Sequence, residues 1–257
     1  MTQYLIFTLY APLASWGEIT VGEDRSSWDR PSRSAVMGLL ASALGITRED
    51  QDRHDALDLG YGLAIRLDAG GTSLIDFHTT QTTSEIEIKK FFGKDQRPTT
   101  RRDFLSPPEQ ETMLSHRELR QDALASACLW AQPDARWRLE ELRDAIRRPV
   151  FVLYAGRKAN AFGLPADPEV VEAVNLAEAF AHRAPRRPDA VFRAFDQLKS
   201  RGAWGREVAH DALPASVESG LMFVRRETRR DRNAQRGRWQ FSERVVDVGL
   251  LPEETTP

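Results

Sequence analysis

Pro31-Ser32-Arg33-Ser34-Ala35-Val36-Met37-Gly38-Leu39-Leu40-Ala41-Ser42-Ala43-Leu44-Gly45 is the stretch on which the fold turns. Val36, Leu39, Leu40, Ala43 and Leu44 recur at helical spacing, Ser32 or Ser34 can cap the free N–H groups of the first turn, and Gly45 supplies a left-handed stop. Gly38 and Ser42 let a neighbouring element approach closely. The same start sets the cation Arg33 beside the positive end of a helix dipole, an arrangement suited to a phosphate. An ordinary capped core helix carries the same signature.

Working outward, Tyr4 to Tyr10 is a β-rich run, apolar on both faces, that reads as a central strand. Between it and the helix, residues 11–33 hold Trp16-Gly17, Trp28 and Pro31, a connection too long for a turn and suited to function. After the helix, Asp50 to Leu57 reads as a short surface helix. Tyr61 to Leu67 and Ser73 to Thr79 read as two strands joined through Ala69-Gly70-Gly71, a hairpin signal. Asp122 to Trp130 is a further strand, Trp137 to Ile146 has helical spacing, and Pro149 ends it before a strand at Val150 to Tyr154. The order strand, helix, strand, strand, insertion, strand, helix, strand predicts an α+β fold close to a split βαβ, or ferredoxin-like, pattern. The insertion, residues 80–118, is polar, with Ile86, Ile88, Phe91, Phe92 and Phe104 as its strong apolar content. It predicts a projecting arm flanked by a body formed from residues 1–79 and 119–257. Beyond Lys158 the pattern predicts a helix over 168–180, a basic linker at 183–188 and a strand at 190–195. Gly220 to Val224 and Trp239 to Val248 then flank an arginine-rich hairpin tip.

A chain of 257 residues, 41% hydrophobic, can fill a real core. Tyr4 to Ala11 is short and has no basic leader, and no run reaches the roughly 18 apolar residues of a membrane span, so a cytoplasmic protein without membrane contact is expected. One cysteine, Cys128, excludes a disulfide framework and a cysteine zinc cluster. Net charge is −2, with 36 basic against 38 acidic residues, so distribution matters more than balance. Six cations stand against three acids between Glu87 and Asp103, Arg101 and Arg102 among them. Between Arg225 and Arg238, seven arginines (Arg225, Arg226, Arg229, Arg230, Arg232, Arg236, Arg238) stand against Glu227 and Asp231. Such a run is a solvated face, or a contact to nucleic acid or a partner, since guanidinium binds phosphate in bidentate fashion.

Chemistry candidates are few. The five histidines form no HxxxH or HxH pair, no glycine-rich nucleotide loop is present, and neither a metal nor a cofactor is expected. Cys128 lies in an apolar strand and reads as core. Metal-free RNA cleavage needs a base, a cation and an acid, which His78, His116, Tyr154 and Lys158 could supply, although no spacing shows that they converge. Gly156-Arg157-Lys158 after a strand can hold a phosphate or form a solvated turn.

Taken together, Ala11-Pro12-Leu13-Ala14-Ser15-Trp16-Gly17, then Arg30-Pro31-Ser32-Arg33-Ser34 leading to Gly38-Leu39-Leu40 and Leu44-Gly45-Ile46, resemble the CasD family, subunits of the type I-E Cascade complex of CRISPR immunity. Asp76-Phe77-His78-Thr79, the strand from Asp122 to Trp130, and Tyr154-Ala155-Gly156-Arg157-Lys158 extend the likeness over about residues 3–160, and it weakens through 161–257. The resemblance implies a ferredoxin-like or RRM-like palm plus a projecting thumb that grip the 5′ handle of crRNA. It also implies neighbouring backbone and large Cascade subunits, and target DNA surveyed through the complex. In this subtype another subunit cuts the precursor, so the implied role is non-catalytic RNA binding in antiviral defence; a related type I-C branch does cleave repeat RNA. On this reading RNA meets Trp16, Arg30, Ser32, Arg33, Ser34, His78, Arg101, Arg102, Tyr154, Arg157 and Lys158. A subunit touching proteins alone is the third class. The longer C-terminal portion with its arginine-rich hairpin departs from compact members of the family.

Overall fold

The computed structural model describes residues 1–18, 20, 22–94, 96–182, 205–215, 217–235 and 240–252. Contacts divide the chain into two units. The first comprises Met1–Glu18, Ser27–Leu74 and Leu119–Pro257, the second Ile19–Ser26 and Ile75–Glu118. The division expected between 79 and 80 thus falls between 74 and 75, and residues 19–26, quoted in the sequence as part of the loop before the helix, join the second unit.

In chain order the elements are β1 (Thr2–Tyr10), β2 (Leu13–Ala14), β3 (Asp24–Arg25), α1 (Arg33–Ala43), α2 (Gln51–Gly60), β4 (Tyr61–Ala69), β5 (Thr72–Thr82), α3 (Glu85–Phe92) and α4 (Arg101–Phe104). They continue with β6 (Glu111–Gln121), β7 (Leu124–Ala131), α5 (Leu139–Arg147), β8 (Glu169–Ala173), α6 (Leu176–Ala181), β9 (Glu207–His210), β10 (Met222–Gln235) and β11 (Gln240–Leu250).

The first unit is organised by a seven-stranded sheet of order β10-β11-β9-β4-β7-β1-β8, in which every pairing is antiparallel. Alternation along the central strands sends successive side chains to opposite faces. On one face Leu5, Phe7 and Leu9 of β1 join Leu63, Ile65, Ala127 and Leu129, covered by Val36, Leu39 and Leu40 of α1 and Leu139, Leu142 and Ile146 of α5. On the other, Tyr4, Ile6, Ala64, Cys128, Trp130 and Val208 meet Leu176, Ala179 and Phe180 of α6. Burial on both faces explains why β1 reads as apolar on both faces. Gly45 ends α1 at φ +69°, the left-handed stop its sequence position predicts.

Four expectations need correction. The hairpin signal at Ala69-Gly70-Gly71 joins strands that do not pair, because β4 is already hydrogen-bonded on both edges, to β7 and β9, while β5 pairs with β6. Val150 to Tyr154 is no strand, because the Val150 and Phe151 N–H groups donate at 3.1 Å each to the Ala43 and Ser42 carbonyls at the end of α1. The outer strand beside β1 is instead β8, inside the stretch read as a helix over 168–180. There β-branched Val170 and Val171 pair with Leu5 and Tyr4, and Asn175 caps the shorter α6. Of the arginine-rich segment, Arg225 to Arg232 do not form a tip but lie in strand β10, at the end of the sheet against β11. The strand expected at 190–195 lies outside the described residues.

In the second unit β5 pairs with β6, β3 runs parallel to β6 with Asp24 beside His116, and α3 and α4 lie in the connection. Ile75, Phe77 and Met113 are exposed on these strands.

Candidate nucleic-acid interface

The start of α1 is built as its sequence requires, but its anion position is filled from within. Ser32 is the N-cap, its Oγ accepting from the Ala35 N–H at 3.3 Å and lying 3.1 Å from Ser34 Oγ. The free N–H of Arg33 donates at 2.8 Å to the carboxylate of Asp231, carried in by β10. Burial alone would raise the Asp231 pKa, yet the Arg244 guanidinium and the Arg33 N–H outweigh it and hold this carboxyl below its usual range. A carboxylate thus occupies the place a phosphate would take.

Arg33 is not an available phosphate ligand. It is 3% exposed, and its guanidinium donates to Asp58 Oδ1 at 2.9 Å, to Asp211, and to the carbonyls of Asp58 and Tyr61. Arg232 holds the second oxygen of Asp58 at 2.7 Å, while Arg244 joins Asp211 to Asp231. Arg30 is buried as well, between Asp29 and Glu207. Burial lowers the Arg30 pKa, but these two carboxylates more than offset it and the group stays charged. Trp16 is 3% exposed inside the core and presents no face for stacking, its backbone N–H donating to Ser27 Oγ at 3.0 Å. Trp16 Nε1 and Arg30 Nη1 are buried donors with no hydrogen-bond partner among the described residues.

Strand β10 neutralises most of its own charge. Arg225 pairs with Glu207 at 3.1 Å and Glu227 at 2.7 Å, Arg226 with Asp247 at 2.6 Å, and Arg229 with Glu227 at 2.9 Å while lying 4.5 Å over the Trp28 ring. Arg230 donates to the Phe241 carbonyl at 3.0 Å. Arg236 and Arg238 lie outside the described residues. Counting acids within the run missed Asp58, Glu207 and Asp247, which arrive from α2, β9 and β11. A usable signal was present: Arg225, Glu227, Arg229 and Asp231 alternate at a spacing of two, so they share one face of a strand.

The Gly156 corner keeps Lys158 in solvent. Ala155 donates to the Asn160 carbonyl at 2.8 Å, Asn160 Nδ2 returns to the Ala155 carbonyl at 3.1 Å, and Tyr154 bridges Ala161. Gly156 has φ +84°, and a Cβ there would fall 1.7 Å from the Ser15 carbonyl oxygen, so only glycine lets this turn seat on residue 15. The locked turn leaves Lys158 exposed, with Arg157 and Tyr154 half-buried beside it.

In the second unit His78 Nε2 lies 2.5 Å from Asp76, and His116 Nδ1 lies 3.1 Å from Asp24. Phe77 stacks on His116 with ring centroids 5.4 Å apart. Because Phe77 and His78 are consecutive on a strand, His78 and His116 occupy opposite faces of the ribbon. Arg101 donates to the Gln81 carbonyl at 2.9 Å and Arg102 is exposed. Tyr154 and Lys158 belong to the first unit. Among the described residues no group of histidine, cysteine, aspartate and glutamate side chains could hold a metal ion, and no helix is long and apolar enough to cross a membrane.

The sequence pattern of the CRISPR-associated protein Cas5 family matches residues 4–247. The chain belongs to the Cas5 family. Among curated relatives of this Cas5 chain, the CRISPR system Cascade subunit CasD of Escherichia coli (strain K12) is 30% identical over 159 residues, 62% of this chain and 67% of that protein. A chain of a solved CRISPR RNA-guided surveillance complex superposes with TM-score 0.59 at 20% identity, covering 97% of this chain and 91% of the other. A crystal structure of a Cas protein gives 0.55 at 22% identity, covering 99% and 97%. These superpositions establish that the mixed α/β architecture with antiparallel sheets is shared with solved Cas proteins.

Proposed function

We propose that this Cas5 chain is a non-catalytic RNA-binding subunit of a Cascade surveillance complex, in which it grips the 5′ handle of crRNA and caps the assembly beside the backbone and large subunits. Target DNA meets it through the complex, and its place is the cytoplasm. The observation that carries the reading is the Gly156 turn, which holds Lys158 in solvent on a rigid backbone where a phosphate can reach it. The order β8-β1-β7-β4, with α1 between β1 and β4 and α5 between β7 and β8, supports reading this part of the sheet as a ferredoxin-like palm and the second unit as the thumb. The placing of His78 and His116 on opposite faces favours binding over cleavage, since a general acid and a general base must flank one scissile bond.

The test is crRNA binding by Lys158→Ala, titrated against salt. Each lost single-strand phosphate contact lowers the log–log salt slope by about 0.7. An unchanged affinity and slope would remove the turn from the interface. Incubation of the full chain with repeat RNA and chelator should leave the RNA intact; a 2′,3′-cyclic phosphate end, lost in His78→Ala or His116→Ala, would establish the endoribonuclease reading instead.

A further inference from the structure

A pocket of about 210 Å³ opens on the first unit's sheet, where His210 of β9 and Asp247 of β11 stand directly opposite each other. That volume is below the roughly 300–1,000 Å³ of sites for drug-sized ligands, which suits a single ring system. Leu213 and Leu221 give it an apolar wall, and Phe223, 63% exposed, offers a ring face at its edge.

The polar groups have a definite sense. His210 is 8% exposed, and its Nδ1 lies 2.7 Å from the Asp211 carbonyl oxygen, which can only accept. Nδ1 therefore carries the proton, and in the neutral ring Nε2 is an acceptor. Nε2 has no hydrogen-bond partner among the described residues. Asp247 is held by Arg226 at 2.6 and 3.0 Å, and each of its oxygens keeps a further lone pair. Ser219 Oγ accepts the Leu221 N–H at 3.1 Å, which leaves its own hydrogen free to donate.

We propose that this pocket binds one nucleobase carrying an exocyclic amine, splayed out of a single strand and stacked on Phe223. An amine gives its hydrogens to His210 Nε2 and Asp247, while the neighbouring ring nitrogen of adenine or cytosine accepts from Ser219. Uracil sets its O4 carbonyl oxygen against the same acceptors where the amine would stand and leaves them unpaired, which is the stronger discriminator. The proposal rests on the RNA-binding reading for the strand that delivers the base, but not on the Gly156 turn.

The test is fluorescence anisotropy of the full chain with labelled rA8, rC8 and rU8. We expect rA8 and rC8 to bind about tenfold more tightly than rU8. Phe223→Ala, whose ring is exposed and not needed for folding, should lose about tenfold on rA8 and rC8, and Phe223→Trp should restore it. Ser219→Ala should narrow the preference. Equal binding of the three oligomers, or a preference intact in Phe223→Ala, overturns the pocket. If binding then still depends on Lys158, the RNA-binding reading stands without it; if no oligomer binds, both fall.

Discussion

Replacing Arg33 by alanine separates a structural cation from an RNA ligand. The side chain is a hub: loss of its guanidinium takes one of two cationic partners from Asp58 and from Asp211, and strips donors from the buried carbonyls of Asp58 and Tyr61. Removing one partner from a buried charged cluster costs about 3–5 kcal/mol, because the remaining groups stay desolvated. Arg232 and Arg244 still hold the two carboxylates, which places the expected loss toward the lower end. At about 2–4 °C per kcal/mol for a chain of this size, a loss of about 3 kcal/mol should lower Tm by about 6–12 °C. Arg33→Lys should be intermediate, since an ammonium cannot reproduce a planar fork with four acceptors. The assay is urea unfolding followed by tryptophan fluorescence, paired with crRNA affinity at a temperature where the variant remains folded. A stability within about 1 kcal/mol of the parent together with selective loss of RNA affinity would refute the reasoning and return Arg33 to the interface.

Trp16→Ala should cost about 3–5 kcal/mol of stability as a core deletion, and unfolding with no selective effect on RNA would show it in the melt. Gly156→Ala should destabilise the turn by at least about 1–3 kcal/mol through left-handed strain, with the Ser15 clash added; Gly93→Ala, at φ +94° with nothing within 4 Å of a built Cβ, separates strain from clash in the same urea titration. Asp29, Glu207, Glu227 and Asp231 are all desolvated, yet arginines hold their carboxyls below the ordinary values of 3.8 and 4.5. A depressed native pKa gives stability that is complete above the unfolded value and lost as pH falls through the native one. Stability should therefore be level in these groups above about pH 5 and fall in acid. In Arg244→Met the acid limb should be shallower, and an unchanged limb in pH-dependent melts would contradict the assignment.

The sequence by itself determined the α+β class, the two-faced strand β1, the capped helix from Ser32 to its stop at Gly45, and the family. These depend on short-range rules: apolar period, side-chain capping and backbone conformation act within a few residues and leave their mark locally. Only the tertiary structure decided what the charges do. Arg33 reads as a phosphate ligand because the helix it opens, Arg33–Ala43, carries no acid, yet Asp58, Asp211 and Asp231 converge on it from α2, the end of β9 and β10. The arginine run reads as unbalanced until Glu207 and Asp247 arrive from neighbouring strands. The same pairing of β9 with β11 brings His210 opposite Asp247, 37 residues away in the chain. Coulombic and hydrogen-bond partners are chosen by distance in space, and register across a sheet is set by packing of the whole face, so local sequence holds no record of either.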